Sequence, residues 1–224
     1  MALAAVLGAL RIMGKKPGDI SVVINGAGAA GIATARLLND CGIGSLIVCD
    51  RAGALYNGRS GLSAEKQQIA ETTNRQSRKG LLADVMPGAD IFIGVSAAGC
   101  VTGKMIESMN KGAAVFTLAN PIPEIMPDLA KKAGAAIIGT GRSDFPNQIN
   151  NALAFPGIFK GALSACAADI DEKMKIAAAK AIAGHISDAQ LSEDNIIPSP
   201  LDRSVAVSVA QAVLKAAPIE KNQP

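Results

Sequence analysis

The run Ile20-Ser-Val-Val-Ile-Asn-Gly-Ala-Gly-Ala-Ala-Gly31, followed by Ser45-Leu-Ile-Val-Cys-Asp50, constrains this chain more than any other feature. Val22, Val23 and Ile24 have the continuous apolar character of a strand buried on both faces. Gly26 permits a sharp turn, Gly28 lets a phosphate approach the backbone, and Gly31 lets the following helix pack closely on the strand. Ala27, Ala29 and Ala30 complete the turn with the smallest side chains. The helix start offers free N–H groups and a partial positive charge. Asp50 closes the second strand, where a carboxylate accepts hydrogen bonds from a ribose diol, and Arg51 beside it could turn toward a phosphate. The pattern predicts a dinucleotide-binding strand–helix–strand unit.

Composition narrows the class. Of 224 residues, 49% are apolar, enough for a sizeable core, while aromatics are only 3%. The 22 basic and 19 acidic residues give a net charge of +3, and the basic ones are scattered, which argues against nucleic acid as a partner. Cys41, Cys49, Cys100 and Cys166 are far apart without a CxxC pair, and with the single His185 they make no metal site. A reduced, cytoplasmic chain is expected. Leu3, Val6, Leu7 and Leu10 fall at helical spacing, and Arg11, Lys15 and Lys16 follow that run, the reverse of a signal peptide. The run is too short to span a bilayer, so no membrane partner is expected.

Further strands are expected at Asp90–Val95, Ala113–Thr117 and Ala135–Ile138. Helices are expected over 64–83, 102–109 and 124–132, the last with Pro123 in its first turn. Five strands with crossover helices predict a doubly wound parallel sheet of Rossmann type. Extra C-terminal helices follow. Pro156 suits the start of one helix, Asp169 with Glu172 resembles a capping box for a second, and Asp202 suits the cap of the last, with Val205, Val209 and Val213 inward. Residues 1–217 are read as one domain and 218–224 as a mobile tail.

Ligands of such sheets lie beyond the carboxyl ends of the strands. That rule gathers Asp50, Ser96 and Asn120 around the Gly26–Gly31 turn. Asn120 precedes Pro121, so it is either a ligand-facing carboxamide or an ordinary turn residue. The amide-rich loop 139–151, with Asn147, Gln148, Asn150 and Asn151, could orient a carboxylate or satisfy its own backbone.

These stretches resemble the malic enzymes, particularly the shorter bacterial type. The resemblance rests on Val22–Gly31, Ile47-Val-Cys-Asp-Arg51, Gly94-Val-Ser96, Ala119-Asn-Pro-Ile-Pro-Glu124 and Gly141-Arg-Ser-Asp-Phe-Pro-Asn-Gln-Ile-Asn-Asn-Ala-Leu-Ala-Phe-Pro-Gly157. Ala98 departs from it, standing where proline is expected. The resemblance implies oxidative decarboxylation of L-malate to pyruvate and carbon dioxide with NAD or NADP and Mg²⁺ or Mn²⁺, in a homo-oligomeric parent. It implies cofactor contacts from Gly26, Gly28, Gly31 and Asp50, and substrate and nicotinamide contacts from Asn120 and Asn151. Asp50 leans the choice toward NAD, because a carboxylate repels a 2′-phosphate.

The resemblance also implies a tyrosine acid, a lysine base and metal-binding carboxylates upstream of the glycine turn. Residues 1–25 contain no Tyr and a single acidic residue, Asp19. Hydroxyl oxidation needs a base, and decarboxylation needs a metal to hold the developing enolate. The chain is therefore expected to be the cofactor-binding domain, separated from an N-terminal catalytic domain and inactive alone, with no catalytic or metal-ligating residue of its own. Two alternatives are the Rossmann domain of an amino-acid or folate dehydrogenase, and a stand-alone nucleotide sensor or oligomerisation module.

Overall fold

Ser21–Asn25 forms the central strand, β1, because its β-branched residues pack on both faces of a sheet. The computed structural model describes residues 1–218; beyond Pro218 the tail expected at 218–224 lies outside the described residues. The remaining strands are β2 (Ser45–Asp50), β3 (Gly53–Ala54), β4 (Ile91–Gly94), β5 (Ala114–Thr117) and β6 (Ile137–Thr140). They lie in the order β3-β2-β1-β4-β5-β6. β1 pairs in parallel with both β2 and β4, with Val23 opposite Ile47 on one side and Phe92 on the other. The chain leaves β1 toward β2 and returns to β4 on the opposite side, so the order reverses at the carboxyl ends of β1 and β4.

The helices are α1 (Ala2–Met13), α2 (Ala29–Asp40), α3 (Ala64–Thr72), α4 (Leu82–Val85), α5 (Gly103–Glu107), α6 (Pro127–Lys132), α7 (Phe155–Ser164), α8 (Glu172–Ala183) and α9 (Ser204–Ala216). Strand alternation divides the core. Val22, Ile24, Val48, Ile93 and Phe116 face α1, α2 and the C-terminal helices. Val23, Ile47, Phe92 and Val115 face Val85, Ile106 and Ala130 of α4, α5 and α6. As expected, Val205, Val209 and Val213 of α9 are buried. Gly157 and Gly161 let α7 approach α9 closely, since a Cβ at Gly157 would sit 2.5 Å from that of Val209. Arg11 donates to the carbonyls of Ala183 and Ile186, closing the positive-seeking end of α8 with a guanidinium. Among the described residues no helix is long and apolar enough to cross a membrane.

Several boundaries differ from the sequence expectations. The sheet has six strands, because Arg51 and Ala52 reverse the chain into β3, antiparallel to β2. The helix expected over 64–83 stops at Thr72; Asn74, at φ 45°, leaves helical geometry and binds Leu55 O, Arg78 O and the Arg78 amide instead. The helix expected at 102–109 is shorter, with Thr102 accepting from the Met105 amide as its cap. The helix expected from Glu124 begins at Pro127, because Glu124 turns inward. The sixth strand lies at 137–140 instead of 135–138. Asp171, not Asp169, caps α8, accepting from the Met174 amide at 2.8 Å. Asp202 binds the Ser204 amide, while Arg203 occupies the cap position of α9.

Candidate functional site

The three glycines of the turn have different reasons to be glycine. Gly26 has φ 122°, and a Cβ there would meet Val95 O at 2.4 Å. At Gly31 a Cβ would meet Gly26 O at 1.7 Å, so the helix could not approach the strand. Gly28 caps α2, and a Cβ there meets nothing within 4 Å. The fold thus demands the first and third glycines, whereas the second keeps space free in front of the helix. Gly28, Ala29 and Ala30 are exposed and Ala27 is buried. The initial amides of α2 face this opening, as an anion requires.

A cleft of about 460 Å³ runs from the turn past Asp50, Arg51 and Lys66 to Leu81 and Leu82. Asp50 stands where the sequence placed it, yet it is not a lone carboxylate. Arg59 reaches its Oδ1 at 2.8 Å and Lys66 its Oδ2 at 2.8 Å, and the Ala52 amide donates to Oδ1. Partial burial pushes the carboxyl up, but Lys66, Arg59 and the Ala52 amide outweigh this and hold it below the ordinary carboxylate range. Arg59 also donates to Gly53 O and Ala54 O, which fixes the hairpin that carries Asp50. Neither Arg59 nor Lys66 carried a sequence signal, since loop and helix bring them to Asp50 from 9 and 16 residues away.

Across the turn lies a second cleft of about 580 Å³, which includes Ala30, Ser96, Asn120, Asn150 and Asn151. Ser96 borders both clefts, so together they straddle the point where strand order reverses. Asn120 and Asn151 are exposed, and among the described residues neither carboxamide has a hydrogen-bond partner. Two other amides of the loop bond within the chain. Asn147 is buried, donates to Ile138 O and Glu193 O, and accepts from the Ile196 amide. Asn150 accepts from the Ala152 amide. Arg142 forms a two-point pair with Asp144 and donates to Pro121 O at 3.1 Å, joining this loop to the 120–124 turn.

Glu124, read from sequence as a helix residue, is fully buried beside the Ser96 and Ala119 amides. No local pattern marks it, because its partners are amides just past two strands. Cys100 borders the first cleft, 3.3 Å from Asn25 Nδ2 and 3.4 Å from Ser96 Oγ. Burial and neighbouring Asp50 push the Cys49 thiol up to about 12, so it stays neutral. His185 contacts both Asp202 and Ser204, but through the same ring nitrogen, Nε2. A proton relay needs one nitrogen for each partner, so this trio is no nucleophilic triad. Among the described residues no group of three His, Cys, Asp or Glu could hold a metal ion.

An open, mostly parallel sheet with a glycine turn at its switch point and a carboxylate at the end of the next strand defines a Rossmann-type dinucleotide-binding domain. A family described as malic enzyme, NAD binding domain, matches residues 1–218, and the chain belongs to it. It is 52% identical to the bifunctional malic/malolactic enzyme of Bacillus subtilis, covering 96% of this chain and 53% of that protein. It is 48% identical to the NAD-dependent malic enzyme of Geobacillus stearothermophilus, over 96% of this chain and 45% of that one. The crystal structure of an NAD-dependent malic enzyme from Thermotoga maritima superposes with a TM-score of 0.91 at 40% identity, covering 96% of this chain and 57% of that chain. The chain thus spans about half the length of these relatives, and 30% of that of the NADP-dependent malic enzyme of Escherichia coli, to which it is 42% identical.

Proposed function

We propose that this chain holds NAD or NADP for an enzyme that oxidatively decarboxylates L-malate to pyruvate and carbon dioxide. In this reading the pyrophosphate rests on the Gly26–Gly31 turn, Asp50 and Arg51 meet the adenosine ribose, and Ser96 and Asn120 flank the nicotinamide. Asn120 and Asn151 then share the second cleft with malate. The observation that carries the reading is the free space at Gly28, which the fold itself does not need, opening onto two clefts that meet at Ser96. The bound nucleotide supplies the hydride acceptor. The chain's own residues bind and orient.

The sequence favours NAD through Asp50, but Lys66 and Arg59 neutralise that carboxylate, and Arg51 lines the same cleft. The domain therefore accepts either nucleotide, in line with relatives named for NAD and for NADP. No described residues form a metal-holding group, so no step through Mg²⁺ or Mn²⁺ is assigned to this chain. We attribute the acid, the base and the metal-binding carboxylates to a catalytic domain corresponding to the relatives' additional length, with residues 1–217 acting as one unit in a homo-oligomeric parent. The four free cysteines fit a reducing, cytoplasmic setting.

Incubating the purified chain with malate, Mn²⁺ and each nucleotide tests the division of labour. The expected outcome is saturable nucleotide binding without reduction of the nucleotide. Steady production of NADH or NADPH would contradict it.

A further inference from the structure

We propose that Glu124 is the positioning residue of this site: its buried carboxylate ties the ends of β4 and β5 together and so sets the seat of the nicotinamide half. The inference rests on the dinucleotide reading above and adds a residue that contacts no ligand itself.

Glu124 is 0% exposed. Its Oε1 accepts from the Ser96 amide at 2.8 Å, just past β4, and its Oε2 accepts from the Ala119 amide at 3.1 Å, just past β5. Ser96 Oγ also points to Oε1 at 3.5 Å and accepts from Asn25 Nδ2, at the end of β1, at 2.8 Å. Glu124 therefore links two strand ends directly, and a third, that of β1, through Ser96 Oγ. The main chain of the same turn adds two bonds, from the Gly99 amide to Pro123 O and from the Val101 amide to Glu124 O.

Room for the carboxyl is made by Gly94, where a Cβ would lie 2.4 Å from the Glu124 carboxyl carbon. Among the described residues no Lys or Arg pairs with Glu124, so the amides are its compensation. Burying such a group is costly, and a staple of neutral groups would cost less. The geometry explains the choice. Two N–H donors converge from different strands, and a carboxylate offers an acceptor to each, whereas glutamine offers one acceptor and an NH₂ that would oppose the second donor. Both amides flank residues of the nicotinamide side: Ser96 itself, and Asn120 next to Ala119. Asp50 and Lys66, on the adenosine side, make no bond to this network, which reaches their cleft only at its Ser96 and Asn25 border.

That asymmetry supplies the test. Binding of NADH and of ADP-ribose, which lacks the nicotinamide riboside, is measured by calorimetry on the wild-type chain, Glu124→Gln and Glu124→Asp, with folding checked by circular dichroism. The expected result is a loss of NADH affinity of about tenfold or more in Glu124→Gln, ADP-ribose affinity within about twofold of wild type, and an intermediate loss in Glu124→Asp. Equal losses of both ligands, no loss of either, or a wild type that binds ADP-ribose as tightly as NADH would overturn the assignment. If Glu124→Gln does not fold, Glu124→Asp carries the same comparison. Were the wild-type chain to bind neither ligand, the dinucleotide reading would fall and the assignment with it, whereas normal wild-type binding with unchanged variants would overturn the assignment alone.

Discussion

Lys66 Nζ lies 2.8 Å from Asp50 Oδ2, on the opposite oxygen from Arg59, so the carboxylate that ends β2 faces the cleft already paired on both sides. A carboxylate held this way still accepts from a ribose hydroxyl, but it no longer repels a 2′-phosphate as a free one would. Lys66 is therefore the residue on which nucleotide choice is expected to turn.

Replacing it tests this. Lys66→Gln removes a cation from the cleft and leaves Asp50 paired by Arg59 alone. NADP affinity is expected to fall about tenfold, worth about 1.4 kcal/mol, while NAD affinity stays within about twofold. Parallel titrations with NAD and NADP read the ratio, and an unchanged ratio would count against the role given to Lys66.

Gly31 and Gly28 separate fold from ligand. Gly31→Ala drives a methyl group into Gly26 O and is expected to cost about 3 kcal/mol, with loss of nucleotide binding through the displaced turn. Gly28→Ala meets open space, so its stability cost is at most about 1 kcal/mol, that of a poorer cap. Denaturant unfolding of the two variants checks the contrast.

The pH dependence of stability has a named source in Asp90. Burial pushes its carboxyl up, but Lys15, the Ser21 amide and Asn110 together outweigh it and hold the group below its ordinary value. Its contribution is complete above the unfolded value of about 3.9 and fades as pH falls through the lower folded value. Asp90→Asn is expected to cost about 2–3 kcal/mol at neutral pH, with the deficit shrinking below about pH 4. Urea unfolding across pH 3–7, a range set around the unfolded carboxylate value, reads both quantities.

Asn120 and Asn151 are exposed carboxamides without partners among the described residues, so their replacement should leave stability alone. Asn120→Ala is expected to weaken NADH about tenfold and ADP-ribose hardly at all, losing one to two hydrogen bonds worth about 1–1.5 kcal/mol. Asn151→Ala should leave nucleotide binding within about twofold, because its proposed partner is the substrate. A thermal shift in either variant would mean that the side chain serves the fold.

Much of this was legible in the sequence because the signals were local. The glycine turn, Ser45–Asp50 and the valine stripe of α9 each follow from short-range periodicity and glycine chemistry. The parallel sheet followed from alternation, but β3 did not, because a two-residue edge strand has no period. The misplaced start of α6 has a physical cause: Pro123 and Pro127 are equally good first-turn residues, and burial of Glu124 decided between them. The same long-range packing hid the partners of Asp50. Arg59 and Lys66 lie on a loop and a helix whose approach to β2 no local pattern encodes.

The most direct test of the account is titration of the wild-type chain and of Gly28→Ala with NADH, alongside their melting curves. Saturable one-site binding to the wild type is expected, with none detectable for a variant that melts within a few degrees of it. A flat wild-type titration on folded protein, or a Gly28→Ala chain that binds NADH as the parent does, would contradict a pyrophosphate seated at that turn.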